Sequence, residues 1–425
     1  MLQNNKCGFY AKKIILLLIF FFCSANIFAQ NSDIIADDNV SQKPRPLIAL
    51  SEVLMINAVV HSFDRFVLKE DYAQVSFDDI GNNFKKGFVW DNDYFQMNAF
   101  SHPYHGSLYF NAARANNLTF WQSIPFAFAG SFTWEFFGEN SYPAINDFIN
   151  TPIGGMALGE MTHRLSHLVL DDSKSGLERV GRETLAGIIS PMDLLNRLLT
   201  GKAWQDSLDK KEQSDYLKEK FALNFSVIHR HMNDLDKNRD SSNIALSLLA
   251  IYGEVFEDKK HSPYDFFTAN INFNILGNQP LINEASIIGI LWGHQWEDNP
   301  YTFLTGIFQH FDFYNSNALI ENGKTPYEFA ETASFGFGFY VKKQENEDEL
   351  PFFLGSFHSN FVILGESESD YYSVYERDYN FGSGYSLKLS AIMNFTKHFN
   401  AVFNFKTYRI FTWNNNDIKE YHSVH

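Results

Sequence analysis

The sequence predicts an α+β protein, a helical N-terminal block followed by an antiparallel transmembrane-type β-barrel. Three observations predict it. The N-terminus has the layout of an export signal. Aromatic residues make up 17% of the chain, with 44 phenylalanines, more than a soluble core needs, yet beyond the N-terminus no apolar run is long enough for a membrane helix. The C-terminal half alternates apolar and polar residues in segments separated by turn-forming stretches.

The export signal comes first. Lys6, Lys12 and Lys13 precede the apolar run Ile14 to Phe22, and CSANIFAQ follows, with the small residue Ala29 before Gln30. We expect residues 1–29 to be a signal peptide cleaved after Ala29 and 30–46 to be a polar linker. Phe22 stands before Cys23 where a lipid-attachment signal would have a small residue, so a lipoprotein is not expected. Cys7 and Cys23 are the only cysteines and both lie in this segment. The expected mature chain therefore uses neither disulfides nor thiolate zinc sites. Removing the three lysines from 34 basic residues leaves 31 against 50 acidic ones, and the formal charge moves from -16 to -19. Such a balance argues against nucleic acid as a partner.

Residues 47–215 read as the helical domain. LIALSEVLMINAVVHSFDRF has helical spacing, with Leu50, Leu54, Ile56, Val60 and Phe63 able to share a face. A second helix is expected from Leu118 to Gly138, apolar nearly all round, with Glu135 and Glu139 four apart on one side. The next stretch starts near Pro143 and is expected to break at Thr151 and Pro152 and to resume through Gly154 and Gly155. Gly155 and Gly159 form a pair that lets another backbone approach closely. A last helical region divides at Ser190 and Pro191.

Residues 216–425 read as the barrel region. In FTANINFNI, Phe267, Ala269, Ile271, Phe273 and Ile275 share one face and Thr268, Asn270, Asn272 and Asn274 the other. Phe335, Phe337, Phe339 and Val341 repeat the pattern, as do Leu387, Leu389, Ala391, Met393 and Phe395, and then Phe399, Ala401, Phe403 and Phe405. Nine strands are expected, near 219–231, 242–254, 264–277, 284–297, 301–315, 327–342, 352–365, 380–395 and 398–413. Nine is odd where single-chain bacterial barrels usually have even numbers, so either a tenth strand is hidden upstream, around 86–98, or the chain ends early. Alternation alone does not separate a soluble sandwich from a membrane barrel, because the two differ only in which face is turned outward. Export, strand length and aromatic residues near strand ends (Trp292, Trp296, Tyr301, Tyr314, Tyr408, Trp413) favour the barrel. The acidic stretches KKQENEDELP and GESESDYYSVYERD are expected on its external side.

The ordered set WDNDYFQMNAFSHPYHGSLYFNAAR, GSFTWEFFGE and YPAINDFINTPIGGMALGE with the following RLSH resembles the bacterial domain-of-unknown-function family 3943, over about residues 48–205. The resemblance brings no assigned activity. It implies association with the cell envelope and a helical block attached to a barrel-like region. The residues that match its motifs are Asn98, His102, His105, Gly106, Tyr109, Arg114, Trp134, Glu135, Glu139, Asp147, Gly155, Gly159, Glu160 and Arg164.

HPYHG, at 102–106, carries the most unusual chemistry. Three readings stand. A metal reading needs both imidazoles plus carboxylates from Glu135, Glu139, Asp147 or Glu160, but His-x-x-His around a proline is not a helical ligand spacing, so such a site would be built from a loop. A catalytic reading makes His102 or His105 a general base oriented by Glu135 or Asp147, activating water, Ser101 or Ser131 against a lipid ester, with Asn98 stabilising an oxyanion. The structural reading makes Asn98, Tyr109, Arg114, the histidines and the acids a buried, internally satisfied polar network, and it is the one we favour. Glu160, His163 and His167 also share a helical face, but Arg164, four residues on from Glu160, neutralises that carboxylate more naturally than a cation does. No metal or other cofactor is expected. The expectation is an outer-membrane barrel of structural or channel-like role with helices packed on or in it, and with outer-membrane lipid and the barrel assembly machinery as partners; the alternative is an envelope lipid hydrolase or lipid-modifying enzyme using His102 and His105 with the downstream acids.

Overall fold

A computed structural model of the chain describes residues 43–90, 93–205, 221–233, 238–256, 260–276, 281–316, 327–344, 351–369, 379–396 and 399–413. The signal peptide, most of the linker and of both acidic stretches, and the C-terminal YHSVH lie outside them. The chain divides into two units, one of residues 1–92 and 101–217, the other of 93–100 and 218–425.

The first unit is helical. Among the described residues seven α-helices follow one another: α1 (Pro46–Phe63), α2 (Phe77–Lys86), α3 (His102–Ala115), α4 (Phe120–Phe137), α5 (Ile145–Val169), α6 (Gly176–Ile189) and α7 (Pro191–Thr200). Two of them start from capping boxes: Ser76 and Asp79 close the first turn of α2, and Thr119 and Gln122 do so in α4, each pair satisfying two otherwise unpaired N–H groups. The split at Ser190 and Pro191 is as expected, with Pro191 in the first turn of α7, where its missing N–H is not needed.

Three expectations for this unit need correction. HPYHG is not a loop but the first turns of α3, with Pro103 in the tolerated N-terminal position. α5 runs unbroken through Pro152. A proline inside a helix costs about 3 kcal/mol, and here the packing of α3 along the same stretch of α5 offsets it. On α1 the buried positions are Ala49, Glu52, Val53 and Ile56, while Leu54 and Phe63 are exposed. Glu52 is drawn inward because Asn116 and Asn196 donate to its two carboxylate oxygens at 2.7 and 3.0 Å.

The second unit is an antiparallel sheet. Its strands are β1 (Phe221–Asn233), β2 (Asn238–Tyr252), the two-residue β3 (Lys260–His261), β4 (Phe267–Leu276), β5 (Ile282–Asp298), β6 (Tyr301–Ser316), β7 (Tyr327–Lys343), β8 (Phe353–Ser369), β9 (Tyr379–Thr396) and β10 (Phe399–Thr412). All but β3 pair in chain order, and β3 pairs with β5 off this path. The nine main strands match those expected from the alternation. Among the described residues near 86–98, where a tenth was sought, there is no strand, and Val89 makes an isolated parallel bridge to Ala144.

The sheet curls into a barrel-like half-cylinder. Register shifts fall at His310/Asp312 on β6, Ala330/Ala333 on β7 and Val362/Gly365 on β8, so a bulge recurs on three neighbouring strands. Aligned bulges bend and twist a sheet. The curl brings Lys406 of β10 to within 3.4 Å of Glu284 on β5. Gly365 and Gly382 accept Ile410 of β10 where a Cβ would lie 2.6 Å from its side chain.

The two faces of β7 to β9 differ in an unusual sense. Phe361 is 61% exposed, Phe337 47% and Leu389 42%, with Phe357, Tyr385 and Met393 on the same side. At the intervening positions His358 and Asn360 are 2% exposed, Lys388 4% and Ser386 0%. Apolar side chains point outward and polar ones inward. Trp292, Trp296 and Tyr301 are exposed as a girdle would be, and Trp296 stacks on Phe303 at 5.4 Å. Tyr408 differs from expectation: it sits on the inner face, against Phe329 and beneath the Lys388 ammonium.

Candidate functional site

Glycine decides how α3 meets α5. A Cβ on Gly106 would lie 1.8 Å from the Thr151 carbonyl oxygen, and one on Gly155 would lie 2.5 Å from the Gly106 carbonyl carbon. Gly159 lies against Phe110 and Asn111. The Gly155/Gly159 pair thus does what its spacing predicts, and its counterpart is the glycine of HPYHG.

The two histidines of that motif go to different partners. His105 lies over Tyr109, ring centroids 4.7 Å apart, and edge-on to Trp134 at 5.1 Å. The Tyr109 hydroxyl donates to Asn57 Oδ1, so at 3.1 Å from His105 Nε2 it acts as acceptor. His105 therefore carries its proton on Nε2. Asn57 passes the chain on, donating to Thr133 Oγ1 at 2.7 Å and to the Gly130 carbonyl at 3.0 Å. Burial, aided by His102, pushes the His105 pKa down to about 3, and burial, with Glu135 nearby, raises the Tyr109 hydroxyl well above its ordinary value. Both rings stay neutral near pH 7. A general base works best with a pKa near the operating pH, and His105 is far from it.

His102 faces Asp147, Nε2 to Oδ1 3.6 Å, and Asn146 donates to the same oxygen at 2.8 Å. Ser131 Oγ donates to the Asp147 carbonyl at 3.3 Å. Glu135 accepts from the Ala144 N–H at 2.7 Å, placing a carboxylate at the start of α5 where the helix dipole favours it. Glu139 accepts from Trp134 Nε1 at 2.7 Å and from Ser141 at 2.9 Å. Asn98 belongs to the second unit, where its amide donates to the Tyr379 hydroxyl beside Phe95. The structure thus brings His102 to Asp147 and His105 to Tyr109, while Glu135 and Glu139 tie the end of α4 to the segment that follows.

Further along α5, Glu160 is wholly buried between two guanidiniums. Arg114 Nε lies 2.7 Å from Oε2, and Arg164 Nε 2.8 Å from Oε1. Burial opposes ionisation of this carboxyl, but Arg114 and Arg164 outweigh it and hold the pKa below the usual value. The ion pair with Arg164 is the one the spacing predicts.

One turn on, His163 and His167 meet a residue that the sequence did not single out. Asp193, in the first turn of α7, has both carboxylate oxygens 3.0 Å from His163 Nδ1. His167 Nε2 lies 3.5 Å from its Oδ1, and Ser166 Oγ donates to Oδ2 at 3.1 Å. Burial works against the Asp193 charge, yet the two histidines hold its pKa well below the ordinary value. Only the α6–α7 turn brings Asp193 back to α5, and nothing in the spacing marks it.

The second unit holds another cluster. On the inner face of the sheet Lys388 contacts His310 Nδ1 at 3.0 Å, Asp312, and Glu331 at 3.2 Å. His358 joins through its ring, 4.9 Å from that of His310, and its Nε2 lies 3.1 Å from the Tyr340 hydroxyl. Next to this layer Phe266, Ile290, Leu304, Phe308 and Tyr340 form an apolar cluster. The sequence signal for the polar layer was the set of residues between the phenylalanines.

Neither the curated proteins nor the solved structures contain a match to this chain. The family comparison does give one: residues 87–192, which hold HPYHG, Glu135, Glu139 and the α5 residues Glu160, His163 and His167, match the model of a domain of unknown function, DUF3943. On that match the stretch 87–192 of the helical unit is similar to the DUF3943 domain.

Proposed function

We propose that this protein is an outer-membrane β-barrel of structural role, its inner face filled by side chains and its helical unit exposed to the periplasm. The observation that carries the reading is the inverted sheet: Phe337, Phe357, Phe361, Leu389 and Met393 outward, His358, Asn360, Ser386 and Lys388 inward. Each large apolar side chain gains roughly 1.5–3 kcal/mol on leaving water. A soluble sandwich would turn that face inward. Lipid is the environment in which it belongs outside.

The inner face supports a structural role over a wide channel. Lys388 with His310, Asp312 and Glu331, and the layer around Phe308 and Tyr340, fill it with ion-paired and apolar side chains. The hydrolase alternative retains His102 beside Asp147, while His105 is neutral and bonded to Tyr109, and the Ser131 hydroxyl is engaged by a backbone carbonyl. Outer-membrane lipid and the barrel assembly machinery are the partners this role requires.

The test is fractionation of an expressing Gram-negative host, followed by gel electrophoresis with and without boiling. The protein should sediment with outer membranes and change mobility on boiling. Recovery as a soluble periplasmic protein with one mobility contradicts the proposal.

A further inference from the structure

We propose that His163, His167 and Asp193 bind a divalent transition-metal ion, zinc being the best fit. The three donor atoms lie within 4.8 Å of one another, two nitrogens from successive turns of α5 and one carboxylate from α7. Tetrahedral zinc with bonds of about 2.0–2.1 Å places its ligands roughly 3.3 Å apart. The separations of 3.0 Å for His163 and 3.5 Å for His167 from Asp193 bracket that value. A cation here takes the place of the direct contact between His163 and Asp193.

The surroundings favour a cation as well. Ser166 holds the second carboxylate oxygen of Asp193, the kind of outer hydrogen bond that fixes a ligand's orientation. Arg164, the charge that would compete, is turned onto Glu160. The His167 side chain is 35% exposed, which leaves a route for the ion and a coordination position for water. Imidazole and carboxylate donors without thiolate suit zinc, with manganese or iron(II) as weaker competitors.

The experiment uses the full chain purified in detergent, stripped with a chelator and dialysed against zinc. Bound metal is measured by mass spectrometry and thermal unfolding by the helical circular-dichroism signal. We expect one zinc per chain lost on chelation, a rise in melting temperature with zinc, and at least 100-fold weaker binding in both His167→Ala and Asp193→Asn. His61→Ala, which removes a ring whose Nδ1 lies 3.0 Å from the Gly138 carbonyl oxygen, should bind as the parent does. The proposal is overturned if the parent takes up no zinc, if its melting temperature ignores zinc, or if the two variants bind as tightly as the parent. Because the thermal shift is read on the parent, it stands even where a variant does not fold.

Discussion

Replacing Gly106 with alanine places a methyl carbon 1.8 Å from the Thr151 carbonyl oxygen and 2.6 Å from its carbon, with the Gly155 Cα at 3.2 Å. An ordinary carbon–oxygen contact is roughly 3.3 Å, so α3 and α5 must separate locally by about 1.5 Å. Overpacking against side chains costs about 1–3 kcal/mol. Here the opposing atoms are backbone, the helices cannot swing aside independently, and Phe110 on Gly159 is disturbed too. The cost should therefore be at least about 3 kcal/mol, even after the roughly 1 kcal/mol by which alanine favours a helix over glycine. For a unit of this size that is a fall of about 6–12 °C in melting temperature. Gly81 on α2 and Gly181 on α6 have nothing within 4 Å of a Cβ. Gly81→Ala and Gly181→Ala should melt at or slightly above the parent. Thermal unfolding followed at the helical circular-dichroism band reads all three, and a Gly106→Ala protein melting within about 2 °C of the parent refutes the close-crossing argument.

Two further outcomes follow from the same unit. Glu160→Gln leaves the buried Arg114 and the partly exposed Arg164 without their counter-charge, a loss of about 3–5 kcal/mol; a denaturation midpoint equivalent to less than about 1 kcal/mol would mean that water replaces the carboxylate. His105 has its folded pKa depressed to about 3 from an ordinary 6.5, so its contribution is complete above pH 6.5 and is lost as pH falls from there toward 3. The slope is at most about 1.4 kcal/mol per pH unit, less where water reaches the half-buried ring. Melting measured at pH 7.5 and 4.5 should fall less in His105→Phe than in the parent, and equal falls would show that the ring is not held neutral.

The barrel was legible because its signal is redundant. Period-two alternation recurs on strand after strand, and a polar residue at each second position fixes the register whichever face is outward. What alternation lacked was the sign. Only the exposure of Phe361 against the burial of Asn360 one residue away supplies it. The helical unit was harder to read where proline stood in for a boundary. Pro103 lies in the first turn of a helix, where the metal reading of HPYHG would have needed a loop, and Pro152 looked like a break although the α3 packing carries α5 across it. Pairings within one helix were recoverable, as Glu160 with Arg164 shows. Pairings made by the tertiary path were not: Asp193 with His163 and Asn196 with Glu52 depend on how α7 folds back, which no local spacing encodes.

The outward apolar face is the centre of the account, and spin labels in lipid vesicles test it most directly. Single cysteines at Phe361→Cys and Leu389→Cys, and at Asp78→Cys on exposed α2 as the water reference, would each be labelled and their relaxation by oxygen compared with that by a water-soluble nickel chelate. Labels at 361 and 389 should respond to oxygen, which concentrates in lipid, and be shielded from nickel, with the label at 78 showing the opposite. Nickel access at 361 and 389 equal to that at 78 would place this face in water and contradict the membrane barrel.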